Sequence, residues 1–329
     1  MVRRPRAGAI VRILVTGGFG YLGGRLAQAL CARGHSIVLG SRRAEQAPTW
    51  LPQAEVARLE WDALDQLRAV CSRVDAVAHL AGMNAKDSAA DPAAAAAFNG
   101  GATARLVHAA ITGSSRRFLY VSTGHVYASP LRGTISESTI PDATNPYATS
   151  HRAGENVVRR AHAARELDGI VVRLSNAFGA PAGIEADCWT LLANDLCRQA
   201  VQTGRMVLRS SGLQRRDFIS MTEACRALVH LLELPAESLG DGLFNVGGGW
   251  SPTVLEMTDR LADRVALATG ARPVIQRTTA ATSERPDDLH YGRQKLLDTG
   301  FVPTDQGVID RELDALIRFC VAREPLVAP

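Results

Sequence analysis

Gly17, Gly18, Gly20 and Gly23 stand between an apolar run and a segment of helical periodicity, and that order of residues could hold a phosphate. Ile10, Val11, Ile13, Leu14 and Val15 read as a strand buried on both faces. Two spacings are met at once, Gly18-x-Gly20-x-x-Gly23 and Gly17-x-x-Gly20-x-x-Gly23. Glycines let the backbone approach a pyrophosphate, while the first-turn N–H groups and the helix dipole face its negative charge. Three glycines also occur in ordinary turns, so it is the strand before and the helix after that point to nucleotide binding. An NAD site needs an acidic side chain about 20 residues further on, for the ribose 2′-hydroxyl. No Asp or Glu lies between Arg33 and Ala44; Ser41-Arg42-Arg43 stands there instead. Guanidinium groups suit a 2′-phosphate through charge-assisted hydrogen bonds, so NADP is expected ahead of NAD, with solvated loop charges as the alternative reading.

The elements that must place these residues follow a regular rhythm. After the first helix, His35–Leu39 reads as a second strand, Ala54–Leu59 as a third, Asp75–Leu80 as a fourth, Arg117–Ser122 as a fifth and Gly169–Leu174 as a sixth. Helices are expected between them, including one from Asp91-Pro92 to about Ile111 and one from Tyr147 to Leu167. Strand–helix alternation predicts an α/β fold, a Rossmann-like doubly wound parallel sheet. Right-handed crossovers then bring the glycine turn, Gly40, Ala81 and Thr123 to one sheet edge. Past Gly179 the rhythm degrades, which predicts a smaller C-terminal substrate-binding lobe. The expected division is a dinucleotide-binding domain over 1–177 plus about 215–246, with the lobe formed by 178–214 and 247–329.

From about Ile10 to Phe301, nearly the whole chain, the pattern resembles the extended short-chain dehydrogenase/reductase family, in its sugar-nucleotide epimerase/dehydratase/reductase branch. Thr16–Gly23 is similar to the family's TGGxGxxG, and His79-Leu80-Ala81-Gly82 to its HLAA segment. Ser122–Tyr127 resembles SSxxVYG, and Pro146–His151 with Glu155 resembles PYxxSKxxxE. Arg173–Gly179 resembles RxxNxYG, Gly212–Phe218 resembles GxxQxRDF, Phe244–Gly247 resembles YNVG, and Glu284–Asp288 falls near RPGD. Asn99 matches an asparagine usual in the helix between. Two departures from the family stand out: His151 stands where the lysine of Tyr-x-x-x-Lys belongs, and Gly124-His125 stands where dehydratases carry an Asp-Glu pair.

The resemblance implies cofactor contacts from Gly17, Phe19, Gly20, Tyr21, Leu22, Gly23, Ser41, Arg42, Arg43, Asp62, Ala63, Leu80, Ala81, Gly82, Tyr147 and His151. Asp62 would meet the adenine, with a plain helix cap as its alternative. Thr123, Tyr147 and His151 would be catalytic. Hydride transfer to a ketone leaves charge on oxygen, so a proton donor must stand within hydrogen-bond reach of it. Tyr147, with an ordinary pKa near ~10, needs its phenolate stabilised to act as a base, and residue 151, four positions along a helix, shares its face. A histidine there, with an ordinary pKa near ~6.5, supplies a hydrogen bond but little charge at neutral pH. Thr123 would donate to the substrate carbonyl. Arg216 and Arg285 would hold a nucleotide diphosphate with their guanidinium forks, while Asn84, His125 and Asn176 would border the sugar.

Bulk properties narrow the classes. The 329 residues carry 46% hydrophobic and 21% charged residues, as a soluble globular chain does. Of 37 basic residues only Lys86 and Lys295 are lysines, and the arginine clusters (Arg3, Arg4, Arg6; Arg42, Arg43; Arg215, Arg216) are too short to argue for nucleic acid. Six scattered cysteines form no metal-ligand spacing and no disulfide framework. The apolar run after the basic N-terminus is broken by Arg12 and is too short for a signal peptide, and no stretch is long enough to span a membrane. A cytoplasmic homodimer is expected, binding no metal. The expected activity is that of an NADP-dependent keto-sugar reductase acting on a nucleotide-activated sugar. An NDP-sugar 4-epimerase with bound NAD is one alternative, and a nucleotide-binding protein with reduced or lost catalysis is another. The missing acid pair argues against 4,6-dehydration.

Overall fold

Ile13, Leu14 and Val15 are completely covered because their strand lies mid-sheet with helices on both faces. The computed structural model describes residues 11–43, 46–279 and 285–323; Ile10, the Arg3, Arg4 and Arg6 cluster, and Glu284 lie outside the described residues. Seven strands build the main sheet: β1 (Arg12–Thr16), β2 (Ser36–Ser41), β3 (Glu55–Arg58), β4 (Ala76–His79), β5 (Arg117–Thr123), β6 (Asp168–Leu174) and β7 (Leu243–Val246). All pair in parallel, in the order β3-β2-β1-β4-β5-β6-β7. The order reverses between β1 and β4, which is where such sheets open a ligand crevice beyond the strand ends. Thr16 is in register with both Gly40 and His79, and Thr123 with Leu174, so those strand ends share one edge.

Alternate residues of each strand feed two different cores. Ile13, Val15, Leu39, Ala78, Leu119, Ile170 and Val172 meet the helices Tyr21–Ala32 and Met221–Glu233 on one face. Leu14, Val38, Val77, Phe118, Tyr120 and Val171 meet Leu64–Cys71, Thr103–Thr112 and Pro146–Ala163 on the other. A separate core joins Leu192–Thr203, Val254–Thr269 and Gly307–Val321 through Leu196, Leu261, Leu313 and Leu316. Leu296 and Phe301, which the sequence division gives to the lobe, pack into the first sheet-face core instead.

Three elements differ from their expected form. Asp91 caps a helix with Pro92 in its first turn, as expected, but Ala96–Ala102 is π-helical and a short separate helix, Ala85–Ala90, precedes it. The helix carrying Tyr147 runs Pro146–Ala163 and stops short of Leu167, with Arg165 in the left-handed region at φ 59°. The lobe also ends in a helix, Gly307–Val321, that lies beyond the elements expected from the sequence pattern. No helix among the described residues is long and apolar enough to cross a membrane.

Candidate active site

The glycine turn is shaped by what surrounds it. Gly17 has φ +68°, and a Cβ there would lie 2.9 Å from the Ala81 nitrogen. At Gly23 a Cβ would stand 2.1 Å from the Gly17 carbonyl oxygen, so the first helical turn packs directly on the turn before it. Gly20 caps the Tyr21–Ala32 helix and donates to the Gly17 carbonyl at 2.8 Å; no acidic side chain occupies the first turn to compete with an anion. Leu80, Ala81 and Gly82 are held against this turn by a buried chain of hydrogen bonds. Thr103 donates to the Asn99 carbonyl (2.7 Å) and accepts from His79 Nε2 (2.9 Å), which leaves His79 Nδ1 to accept the Thr16 hydroxyl (2.6 Å). Thr16 Oγ1 in turn receives the N–H groups of Leu80 and Ala81. Burial pushes the His79 pKa down to about 3, so the ring stays neutral and keeps one tautomer. The residues present therefore fit a dinucleotide: a close-packed backbone cradle with its N–H groups free of acidic competition.

Thr123, Tyr147 and His151 converge at the ends of β5 and the Pro146–Ala163 helix. Asn145 caps that helix by accepting the Ala148 N–H at 2.9 Å, and Pro146 sits in the first turn. Thr123 is buried, accepts the His125 N–H at 3.1 Å, and lies close enough to the Tyr147 phenol to lower its pKa. Burial is the larger influence and leaves that phenol above its ordinary pKa. The Tyr147 and His151 rings meet edge to face with centroids 4.6 Å apart. Burial brings the His151 pKa down to about 4, with Glu155 opposing. His151 is therefore a neutral hydrogen-bonding group, not a cation.

The family model for NAD dependent epimerase/dehydratase proteins matches residues 13–247, most of the chain and all seven sheet strands but the first residue of β1. The chain belongs to that family. It is 30% identical over 271 residues to the UDP-glucose 4-epimerase of Azospirillum brasilense, covering 77% of each. It is 29% identical over 238 residues to a dTDP-glucose 4,6-dehydratase of an Actinoplanes strain, covering 68% of this chain and 70% of the relative. Among solved structures, the UDP-N-acetylglucosamine 4-epimerase of Methanobrevibacter ruminantium M1 superimposes with a TM-score of 0.80 at 20% identity, over 96% of this chain and 99% of that one. RMD of Pseudomonas aeruginosa, solved with NADPH, gives 0.74 at 24%, over 95% and 100%. The enzyme is thus of the extended short-chain dehydrogenase/reductase type and NAD(P)-dependent.

The structure separates the enzyme's remaining sequence-derived site residues into two groups. Arg216 is half-buried, its guanidinium makes no hydrogen bond or ion pair among the described residues, and its charge helps hold the His125 pKa down after burial. His125 Nδ1 is buried without a partner. Asn176 lies at the same edge, its Nδ2 donating to the Asp217 carbonyl at 2.9 Å. Ser41 Oγ accepts the Arg43 N–H at 3.1 Å, and the exposed Arg42 and Arg43 side chains form no ion pair among the described residues. Other residues have local employment. Asn84 is exposed and caps the Ala85–Ala90 helix by accepting the Asp87 N–H. Asp62 is no cap, since Ala63 holds that position; its exposed carboxylate pairs with Arg105 at 3.0 Å. Arg285 is exposed and engaged with a neighbour. Phe19 packs edge to face on Trp50, and the Tyr21 hydroxyl donates to the Gly179 carbonyl at 2.9 Å, tying the glycine-turn helix to the lobe.

Two features were not visible in the sequence. A Cβ at Gly124 would lie 3.1 Å from the Tyr291 hydroxyl and 3.2–3.3 Å from its ring, so an acid there would require the Tyr291 side chain to give way by a few tenths of an ångström. A cavity of about 1410 Å³ lies at the opposite sheet edge, lined by Val11, His35 and Arg117 at strand starts and by Arg160, His162 and Glu233 in the last turns of two helices. Helix C-termini repel anions, which explains the basic side chains there and makes that cavity a poor place for a pyrophosphate.

Proposed function

We propose that the enzyme is an NADP-dependent reductase of a nucleotide-activated keto-sugar. The observation that carries this reading is the neutral, buried His151 beside a Tyr147 phenol whose pKa is raised. Removing hydrogen from an alcohol needs a phenolate, and a cation four residues along would stabilise one. Reducing a ketone needs the opposite: a phenol that keeps its proton until the carbonyl oxygen becomes negative. When bound, the reduced nicotinamide supplies the hydride. Thr123 then donates to the carbonyl oxygen and fixes its position, and Tyr147 delivers its proton to that oxygen as charge develops there. His151 would hold the nicotinamide ribose through a hydrogen bond. Arg216 meets the diphosphate of the substrate, an anion suited to a half-buried guanidinium without another partner.

Arg42 and Arg43, at the end of a β2 that offers no carboxylate, support NADP. Replacing both by alanine is expected to raise KM for NADPH about tenfold or more while leaving KM for NADH within about twofold, because only the former carries the 2′-phosphate. Steady-state kinetics with both cofactors checks this, and an equal change for both would reject the assignment. The names of the relatives favour a second reading, a UDP-sugar 4-epimerase. Loss of NADPH absorbance on adding a nucleoside-diphosphate keto-sugar supports the reductase. Interconversion of UDP-glucose and its 4-epimer, with NAD retained through purification, would replace it.

A further inference from the structure

We propose that Tyr120 is a positioning residue for His151, and that Tyr120 with Gly154 is what lets an imidazole serve at the family's lysine position. The inference rests on the reading that His151 contacts the cofactor ribose. Tyr120 lies on β5, is essentially buried, and belongs to no motif that the sequence reading singled out. Its hydroxyl is 2.9 Å from His151 Nδ1. The His151 carbonyl, at 3.5 Å, is too distant to take the proton well. Thr103 also lies within reach of this hydroxyl, but its own hydroxyl is already committed, donating to the Asn99 carbonyl and accepting from His79 Nε2. The arrangement assigns the Tyr120 proton to Nδ1, which makes Nε2 the protonated nitrogen of the neutral ring. A Cβ on Gly82 would lie 3.5 Å from His151 Cε1 and 3.7 Å from Nε2, so this edge of the ring faces the same loop that rests on Gly17.

Gly154 provides the room. A Cβ there would stand 2.6 Å from the Tyr120 oxygen, 2.8 Å from its Cζ and 2.8 Å from the Asn99 carbonyl oxygen, so a larger residue would force the phenol or the backbone beside it to shift. A lysine needs no such partner, since an ammonium carries three rotatable donors. A neutral imidazole must choose, and the wrong tautomer would present a lone pair where a donor is required. The titratable groups around His151 do not upset that choice near neutrality. His79 on β4 is buried and neutral, Tyr120 and Tyr147 have raised pKa values, and Glu155 is held ionised by Arg173.

Tyr120→Phe keeps the ring and removes the donor. Nitrogen-15 NMR of the histidine-labelled protein is expected to show His151 as a single Nε2–H tautomer in the unaltered chain and as a mixture in the variant. In kinetics, Tyr120→Phe is expected to lower kcat/KM for the cofactor about five- to tenfold, the loss of one hydrogen bond's ordering. In a His151→Lys background the same change is expected to cost less than about twofold, because the ammonium has no tautomer to fix. An Nδ1–H tautomer in the unaltered protein, or an equal cost of Tyr120→Phe in both backgrounds, overturns the proposal. The NMR result is read on the protein alone, so it decides the role of Tyr120 even if the keto-sugar reaction is absent, in which case only the proposed function falls.

Discussion

Tyr147→Phe is expected to lower kcat for keto-sugar reduction by about 10²–10⁴-fold, the usual worth of a positioned general acid, while the dissociation constant for the dinucleotide changes little. The phenol, expected also to touch the cofactor, adds at most about one hydrogen bond to its affinity, which is small beside the loss in rate. Single-turnover rates against cofactor titrations separate the two effects, and a variant that loses binding and rate in proportion would remove Tyr147 from the chemistry. The pH profile carries the sign of the argument. With His151 neutral down to about pH 4 and the Tyr147 pKa above its ordinary value, the acid form persists across the neutral range. Reduction is therefore expected to be flat there and to fall only at strongly alkaline pH, as the phenol finally ionises. Oxidation of the product alcohol is expected to rise with pH over the same alkaline range. In His151→Lys the fixed charge favours the phenolate, so the reductive limb moves to lower pH and oxidation at neutral pH increases.

What was legible in the sequence is what depends on short spacing. The glycine turn, Thr123 and the Tyr147–His151 pair follow from local order, because a strand, a turn and a helix start place their own residues. Six strands of the sheet follow from alternation, whereas the seventh, Leu243–Val246, joins its edge only after a long excursion through the lobe. Residues whose role is set by distant partners were hidden. The sequence shows that a lysine is missing at 151, but not that the hydroxyl of Tyr120, thirty-one positions earlier, lies 2.9 Å from the imidazole that replaces it. It shows glycine at 124, but not that Tyr291 fills the space beyond it. The alanine-rich stretch reads as a regular helix because alanine is an excellent helix former; the π-helical turn at Ala96–Ala102 is seen only once Asn99 bonds the Met83 N–H at 2.7 Å and the Ser150 hydroxyl at 3.0 Å. For Asp62 the structure removes only the alternative of a plain helix cap, since Ala63 holds that position and the exposed Asp62 carboxylate pairs with Arg105.

Glu155→Gln is expected to destabilise the fold by about 3–5 kcal/mol, the cost of leaving a buried charge without its partner. Glu155 and Arg173 are both essentially inaccessible, 0% and 1% exposed, and meet through two parallel hydrogen bonds, Nε to Oε1 at 3.0 Å and Nη2 to Oε2 at 2.7 Å. Ser122 and Arg152 donate to the same carboxylate, and the Arg173 guanidinium lies 4.5 Å above the Tyr127 ring. Glutamine keeps the volume but not the charge, so urea midpoints isolate the electrostatic loss; a change below about 1 kcal/mol would mean that water reaches Arg173. Replacing both partners with apolar residues is expected to cost less than the single change, since neither charge is then stranded. The pH dependence has one sign. Glu155 is held below the ordinary carboxylate range, chiefly by Arg173 against the opposing effect of burial. Its contribution is therefore complete above that range and is lost as pH falls through it. His79 and His151, with pKa values of about 3 and 4, add to this from higher pH. Unfolded, they bind protons below about 6.5, so acid draws the chain toward the unfolded state from that point downward. Because Ser122 precedes Thr123, the same carboxylate also ties the strand end that carries the proposed catalytic hydroxyl to the Tyr147 helix. Glu155→Gln is accordingly expected to lower kcat even at temperatures where the variant remains folded.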